Sequence, residues 1–188
     1  MQTQLGIIGA YIVLAAHIPL YVAILRKTAK PNLATWSMWS VMLTITLTSQ
    51  IAAGKHDPWG MLAATGGTIV ATILLLLYGE KKWTKLDTRC LLLAATGMLA
   101  WKIYGPAAAQ IASLASLMIA GIPTIKNAWE NPSNESKLTW GTFSLGFALT
   151  VVSVSDWASL TNWIQPVTST AFNLTVFVLT LRRVRGVT

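Results

Sequence analysis

Apolar stretches recur along the whole chain and are separated by short breaks that are polar or contain proline. A helix of about 20 apolar residues spans the hydrocarbon core of a bilayer, so each stretch predicts a membrane-spanning helix. Strands are not expected, because every backbone group must be paired internally in lipid. The predicted spans are 5–25, 34–54, 59–79, 88–104, 107–126, 138–155 and 161–181. The predicted fold class is an all-α integral membrane protein with seven transmembrane helices.

The breaks define where these helices should end. Residues 27–32 form a basic turn that contains Pro31, and residues 80–87 form a charged linker. Gly105 and Pro106 separate the fourth span from the fifth, since proline interrupts helical hydrogen bonding.

The chain also repeats itself without gaps, because Pro123 lies 104 positions after Pro19 and other polar and aromatic residues recur at the same offset. The further pairs are Ile18 and Ile122, Thr35 and Thr139, Trp36 and Trp140, Ser40 and Ser144, Thr46 and Thr150, Ser49 and Ser153, and Trp59 and Trp163, with Phe143 opposite Trp39. The alternative is chance similarity between two apolar segments. Leu and Ala matches would carry little weight against it, but matched Pro, Trp and Ser argue for a true repeat.

The repeat predicts two halves of three helices each. Residues 1–87 hold the first half and its charged linker, 88–104 a linker helix, and 105–188 the second half. Because three helices and one linker precede the second half, both halves should cross the membrane in the same orientation. They are therefore predicted to be parallel repeats related by an axis along the membrane normal.

Composition and charge agree with a membrane protein. Apolar residues make up 54% of the chain and charged residues 11%, whereas soluble domains carry roughly 25% charged residues. The net charge of +8 lies in short clusters between the spans rather than on one face, so no nucleic-acid partner is predicted. With the N-terminus outside, twelve basic residues fall on the inner side, and only Lys55 and Lys102 on the outer side. This asymmetry predicts a multi-pass protein of the cell (inner) membrane with a cytoplasmic C-terminus.

The sequence contains no residue pattern typical of an enzyme. Cys90 is the only cysteine, which excludes an internal disulfide and a cysteine-cluster metal site. No nucleophile–base pair or phosphate-binding glycine loop is present. No enzyme activity, metal or cofactor is therefore predicted.

Hydroxyl side chains occur symmetrically on two predicted helices. Thr46 and Ser49 share one face of the second helix, Gln50 extends this pair, and Thr150 and Ser153 repeat it on the sixth. Such residues often serve only helix packing. Their recurrence at equivalent positions also predicts substrate contacts in a cavity on the axis.

Two amides and two prolines are further candidates. Asn173 lies near the middle of the seventh span, where an unpaired amide would be costly in lipid, so it should face the interior as a substrate ligand or an interhelical bond. Gln110 begins a polar stripe on the fifth span, for which substrate lining and packing are equally supported. Pro19 and Pro123 are predicted to kink their helices and to act as hinges, or to be static kinks. His17 is expected to bond backbone freed by Pro19.

Tryptophan is abundant, and most copies fall near predicted span ends. An aromatic belt at the membrane interface is the expected role for these residues. They are Trp36, Trp39, Trp59, Trp83, Trp129, Trp140, Trp157 and Trp163.

The predicted topology, with two parallel three-helix repeats joined by a linker helix, resembles that of the SWEET sugar carriers and the wider PQ-loop superfamily. These proteins have a parallel arrangement of three, one and three helices. The resemblance is carried by the topology and by residues 17–20 and 30–36 in the first half and 121–124 and 136–140 in the second. It implies alternating access by rocking of the two three-helix bundles, and it allows a homo-oligomer. It also implies a site with Asn173 and, sixteen residues earlier, Trp157. The equivalent of Asn173 in the first half is Ile69.

The resulting expectation is a uniporter for a small neutral polar solute, with sugar as the leading substrate. Uniport is expected because no predicted span contains a carboxylate. A vitamin-precursor carrier is the alternative, since nicotinamide riboside carriers share this architecture and have a tryptophan pair similar to Trp36 and Trp39. A ligand-binding receptor similar to the KDEL receptors, or a scaffold protein, would also fit this topology. The expected partners are the lipid bilayer and the small-molecule substrate.

Overall fold

A computed structural model describes residues 2–52 and 58–182, with side chains except at positions 2, 49, 93–102, 104–110 and 161. Every regular element in these ranges is helical, as predicted. The helices are α1 (Gln2–Leu25), α2 (Leu33–Ala52), α3 (Trp59–Tyr78), α4 (Lys85–Ala120), α5 (Ile122–Glu130), α6 (Lys137–Val152) and α7 (Leu160–Thr180), and a 3₁₀ turn covers Pro132–Asn134.

Among the described residues, three helical segments are long and apolar enough to cross a membrane: Thr3–Leu25, Trp59–Tyr78 and Ile111–Glu130. This property indicates a membrane protein. α2 and α7 have similar lengths but contain many Ser, Thr, Asn or Gln residues, and α6 has only 16 residues. Their lower hydropathy reflects polar side chains that face the interior of the bundle, such as Thr35, Ser144 and Asn173.

Local sequence explains several helix ends. Lys27 adopts a left-handed conformation with φ of 55° just after α1, which ends the helix. α4 begins with a capping box, in which the backbone N–H of Thr84 donates to Asp87 Oδ2 and the backbone N–H of Asp87 donates to Thr84 Oγ1. Ser136 caps α6 by accepting a bond from the backbone N–H of Thr139.

α4 is helical through Gly105 and Pro106, where the sequence predicts a break between two spans. A straight helix of 36 residues would be about 54 Å long. Asp87, near the start of α4, nevertheless lines the same cavity as Pro123 and Asn127, just after its end. α4 therefore bends back strongly along its length, as a reversal between the fourth and fifth predicted spans requires. The helix ends at Gly121, and Pro123 then stands in the first turn of α5, where its missing N–H leaves no partner unpaired.

The helices pair in a pattern that repeats at the 104-residue offset. α3 packs on α1 and on α2, and α7 packs on the α4–α5 segment and on α6. Between these two sets, α1 packs on α6 and α2 packs on α4. The α1–α6 crossing is close, because a Cβ added to Gly9 would lie 2.8 Å from the carbonyl oxygen of Gly146.

Candidate functional site

A cavity of about 50 Å³ lies at the centre of the bundle. Four pairs of its lining residues are equivalent at the 104-residue offset: Trp36 and Trp140, Trp39 and Phe143, Leu43 and Phe147, and Thr68 and Phe172. The remaining lining residues are His17, Ala64, Leu117, Met118, Ser169 and Asn173. Residues from both halves of the repeat thus enclose the same space.

Aromatic rings form most of the cavity wall, and we call this set the aromatic cage: Trp36, Trp39, Trp140, Phe143, Phe147 and Phe172. The rings of the equivalent Trp36 and Trp140 lie 6.3 Å apart, and those of Trp39 and Phe172 lie 5.3 Å apart at nearly a right angle. The edge-to-face contact between Trp39 and Phe172 is favourable and helps to fix the orientation of both rings.

The predicted aromatic belt is therefore wrong for three tryptophans. Trp36 and Trp140 are each 1% exposed and Trp39 is 6% exposed, so they line the interior rather than the interface. They stand in the first two turns of α2 and α6, and position near a helix end does not determine which way a ring points. Trp59, Trp83, Trp129 and Trp157 are exposed, as expected for a belt.

Two nitrogen atoms in the cavity wall are buried without a hydrogen-bond partner among the described residues. They are Nε2 of His17 and Nε1 of Trp36. His17 Nδ1 lies 2.9 Å from the carbonyl oxygen of Val13. If Nδ1 carries the proton for that bond, Nε2 is an acceptor, whereas the Trp36 indole can only donate. Both nitrogens are buried within the wall, so a bound molecule would reach this donor and this acceptor only after a small movement of the side chains, and then at low desolvation cost.

Gly67 creates the space that His17 occupies. A Cβ at this position would lie 2.4 Å from the imidazole ring, so only glycine allows α3 to approach it this closely. Tyr21, one turn after His17, donates its hydroxyl to the carbonyl oxygen of Gly67 at 2.8 Å. The histidine is thus held between two helices, with Phe143 against its ring at 4.7 Å.

A polar stripe on α7 leads to the cage. Gln165, Ser169 and Asn173 are four residues apart and buried, so they share one face of the helix. Gln165 Nε2 donates to Ser169 Oγ at 3.2 Å, and Asn173 Nδ2 donates to the carbonyl oxygen of Ser169 at 2.7 Å. Gln165 also lines a second, polar cavity of about 270 Å³ at the end of the bundle where α1 begins. Thr150 and Ser153 line that cavity too.

At the opposite end of the bundle, the loops of the two halves are bonded together. The backbone N–H of Lys30 donates to the carbonyl oxygen of Asn134 at 2.8 Å, and these residues are equivalent at the 104-residue offset. Asn134 Nδ2 donates to Asn127 Oδ1 at 3.0 Å. We call the bond between Lys30 and Asn134, together with the bond from Asn134 to Asn127, the loop seal.

Glu135 lies beside the loop seal and is 4% exposed. Its carboxylate accepts bonds from the indole Nε1 of Trp140 at 3.0 Å and from Asn127 Nδ2 at 2.9 Å. Burial raises the pKa of Glu135 to about 7, and these two hydrogen bonds oppose the shift.

The structure places the predicted site residues in three different environments. Asn173 lines the central cavity, as the sequence predicts. Thr150 and Ser153 line the polar cavity at the α1-start end, but each hydroxyl donates to the backbone of α6. Thr46 is fully buried and donates to the carbonyl oxygen of Met42, and it does not line the central cavity. Gln50 is buried, and neither polar atom of its amide has a partner among the described residues.

Three other predictions have different outcomes. Trp157 lies after the end of α6, is 53% exposed and stacks on Trp163, because the helix ends at Val152. It does not line the central cavity. The side chains of Ser49 and Gln110 lie outside the described residues.

The two prolines differ in their helices. Pro19 lies inside the continuous α1, whereas Pro123 stands in the first turn of α5. The prediction of two kinks of the same kind is therefore wrong, because the second half has Gly121 where the first has His17.

The sequence patterns do not identify His17 and Ser169 as residues of the central cavity, or Gln165 as a residue of the polar cavity. The four-residue spacing of Gln165, Ser169 and Asn173 was a usable signal for one helix face. Among the described residues no group of three His, Cys, Asp or Glu could hold a metal ion. The chain matches no protein-family model, no curated protein and no solved structure.

Proposed function

We propose that this protein is a membrane carrier that moves a small neutral solute through the aromatic cage by rocking of two co-oriented three-helix bundles. In this proposal seven segments cross the inner membrane with the N-terminus outside and the C-terminus in the cytoplasm. The observation that carries it is the central cavity, which both halves line with equivalent residues and which contains two unpartnered polar nitrogens.

Direct contacts between equivalent residues support a two-fold relation between the halves. Residues can meet their own equivalents only beside the axis that relates the halves. Trp36 contacts Trp140 in this way, and Lys30 bonds to Asn134. Substrate sites of carriers with parallel repeats lie between the repeats, near such an axis. This relation also supports the resemblance to the SWEET and PQ-loop carriers.

The lining favours a flat heteroaromatic solute over a sugar. A buried sugar needs several hydrogen-bond partners, and every unpaired hydroxyl would be costly. The described wall is dominated by aromatic rings, with few free polar atoms near them. A planar ring could stack on Trp140 while its own acceptor and donor bond to Trp36 Nε1 and His17 Nε2. The vitamin-precursor alternative therefore fits this cavity better than the sugar expectation.

The alternatives to a carrier are a receptor and a scaffold protein, and an uptake experiment distinguishes them. A receptor for a peptide carboxylate would need a cation in the cavity, and none of the described lining residues is Lys or Arg. The cavity and its unpaired atoms argue against a purely structural role.

Uptake by proteoliposomes containing the purified protein tests this proposal. The panel contains nicotinamide riboside, uridine, glucose and sucrose, each radiolabelled. We expect saturable uptake of a ring-bearing solute, reduced about tenfold by Trp36→Phe through loss of one hydrogen bond, and also reduced by Asn173→Ala. Trp83→Phe is the control, because Trp83 is exposed in a loop and does not line the cavity.

Each different result favours a different function. Uptake of glucose or sucrose alone would establish the sugar carrier. Binding of a panel member without uptake would indicate a receptor. Neither binding nor uptake of any compound would contradict the carrier proposal in this form.

A further inference from the structure

Glu135 joins the cage to the loop seal. Its carboxylate bonds to the indole of Trp140, which forms part of the cage wall, and to the amide of Asn127. Asn127 in turn accepts a bond from Asn134, whose carbonyl oxygen accepts the backbone N–H of Lys30 in the other half. Glu135 is therefore bonded directly to a residue of the central cavity and, through Asn127, to the contact between the halves.

The carboxyl group of Glu135 has neutral hydrogen-bond partners. On the elements packed around it, the charged groups are occupied elsewhere or exposed. Lys30 pairs with Glu80 at 2.6 Å, and Lys126 pairs with Glu130 at 3.6 Å on α5. Asp87 at the start of α4 accepts bonds from Asn32 Nδ2 and from the backbone N–H of Thr84. Lys27, Lys137 and Arg182 are exposed, and the Arg182 guanidinium lies over the Trp129 ring. Burial without a cation disfavours the ionised carboxylate.

We propose that Glu135 is a proton-binding site that controls the loop seal: the seal closes when the carboxyl group is protonated and opens when it is ionised. The proposal rests on the proposed carrier function, because the seal must open for a solute to pass between the halves. Transport of the solute is still uniport in this proposal. The proton binds to the closed conformation as a ligand and is not transported with the solute.

The direction follows from linkage. Burial raises the pKa of Glu135 to about 7 in the closed conformation. When the loops separate, water reaches the carboxyl group and its pKa returns toward the ordinary value for glutamate. The closed conformation therefore binds the proton more tightly, so it is favoured at low pH and is lost as the pH rises through about 7. Between pH 6 and pH 8 the ratio of closed to open protein should fall about tenfold.

Distance measurement across the loop seal tests the proposal without a substrate. Spin labels are placed on Arg26→Cys and Ser133→Cys, one exposed position in each half, with Cys90→Ser to remove the native thiol. Pulsed EPR then measures the distance in lipid nanodiscs at pH 6 and pH 8. We expect a short distance at pH 6 and a growing longer-distance population at pH 8.

Two variants provide the comparison. In Glu135→Gln the side chain stays neutral, so the distance should remain short at both pH values. Glu130→Gln removes an exposed carboxylate on the adjacent helix and should titrate like the wild type. An unchanged wild-type distance between the two pH values, or a Glu135→Gln protein that still titrates, would overturn the proposal.

Infrared spectroscopy of the wild type covers the case in which Glu135→Gln does not fold. A protonated buried carboxyl group gives a carbonyl stretching band that disappears on ionisation. The proposal requires such a band at pH 6 and its loss by pH 8, and absence of the band at pH 6 would refute it. This readout is independent of uptake, so a failed proton site and a failed carrier function are distinguishable.

Discussion

The two halves place a tryptophan at the same point beside the axis, but the surroundings of the two indoles differ. Trp140 Nε1 donates to the carboxylate of Glu135, whereas Trp36 Nε1 has no partner among the described residues. The equivalent of Glu135 in the first half is Pro31, whose side chain cannot accept a hydrogen bond. One indole nitrogen therefore bonds within the protein, and the other is buried without a partner among the described residues.

A second pair of equivalent positions also has different surroundings in the two halves. The carbonyl oxygens of Val13 and Leu117 are equivalent, and each lies within hydrogen-bond distance of a ring nitrogen: His17 Nδ1 for Val13 and Trp39 Nε1 for Leu117. Gly121 replaces His17 in the second half, and Phe172 and Trp39 fill the space that a side chain would occupy. Equivalent residues of the two halves thus form much of the cavity wall, whereas residues that differ between the halves determine its polar atoms.

The largest expected effect concerns Glu135 and pH. The pKa of Glu135 is raised in the folded protein to about 7. Its stabilising contribution is therefore fully present below the ordinary pKa of glutamate and is lost as the pH rises through about 7. The loss between pH 5 and pH 8 should reach roughly 3 kcal/mol. Thermal unfolding in detergent should show a steeper decline for the wild type than for Glu135→Gln, and parallel declines would exclude this burial effect.

Gly67→Ala tests whether there is less space beside His17 in the first half than at the equivalent position, Ala171, in the second half. The new Cβ would lie 2.4 Å from the imidazole, although the equivalent position carries Ala171 without difficulty. We expect a loss of about 2–3 kcal/mol, because the ring and α3 must separate. The adjacent Gly66→Ala is the matched control, since nothing lies within 4 Å of its added Cβ. Equal unfolding temperatures for the two variants would contradict the close packing.

Trp140→Phe and Trp36→Phe compare the two indoles directly. Loss of the bond to Glu135 should make Trp140→Phe less stable than Trp36→Phe by about 2 kcal/mol. Trp36→Phe removes a buried donor without a partner, so its stability should stay close to that of the wild type. Binding should show the reverse order, with Trp36→Phe weakened more. Calorimetric unfolding and ligand binding are measured on both variants. Equal losses of stability, or equal losses of binding, would contradict the different roles of the two indoles.

The smallest effect is expected for the symmetric threonines. Thr46 and Thr150 each donate to a backbone carbonyl oxygen of their own helix. Thr46→Val should therefore change the free energy of unfolding by only about 0.5 kcal/mol and leave uptake unchanged. Strongly impaired uptake by a stable Thr46→Val protein would restore this residue to the substrate site.

The sequence predicts the helices and one residue of the central cavity, Asn173, but not the composition of the aromatic cage. His17 was expected to play a backbone role, and the structure adds an unpaired Nε2 in the cavity wall. The resemblance implies Trp157 from its separation of sixteen residues from Asn173, yet Trp157 lies beyond the end of α6. Spacing along a helix identifies a shared face, but it does not identify what that face contacts.

The amino-acid sequence determined the helical elements, most of their ends and the repeated pairs, because apolar length, capping residues and proline act locally along the chain. Only the tertiary structure decided where the long helix breaks, which tryptophans point inward and which polar atoms lie buried without partners. Those properties depend on residues brought together from both halves, as the ring of Phe172 against Gly121 and the burial of the loop residue Glu135 illustrate. Hydrogen-bond satisfaction and burial are set by packing, which no single segment of the chain encodes.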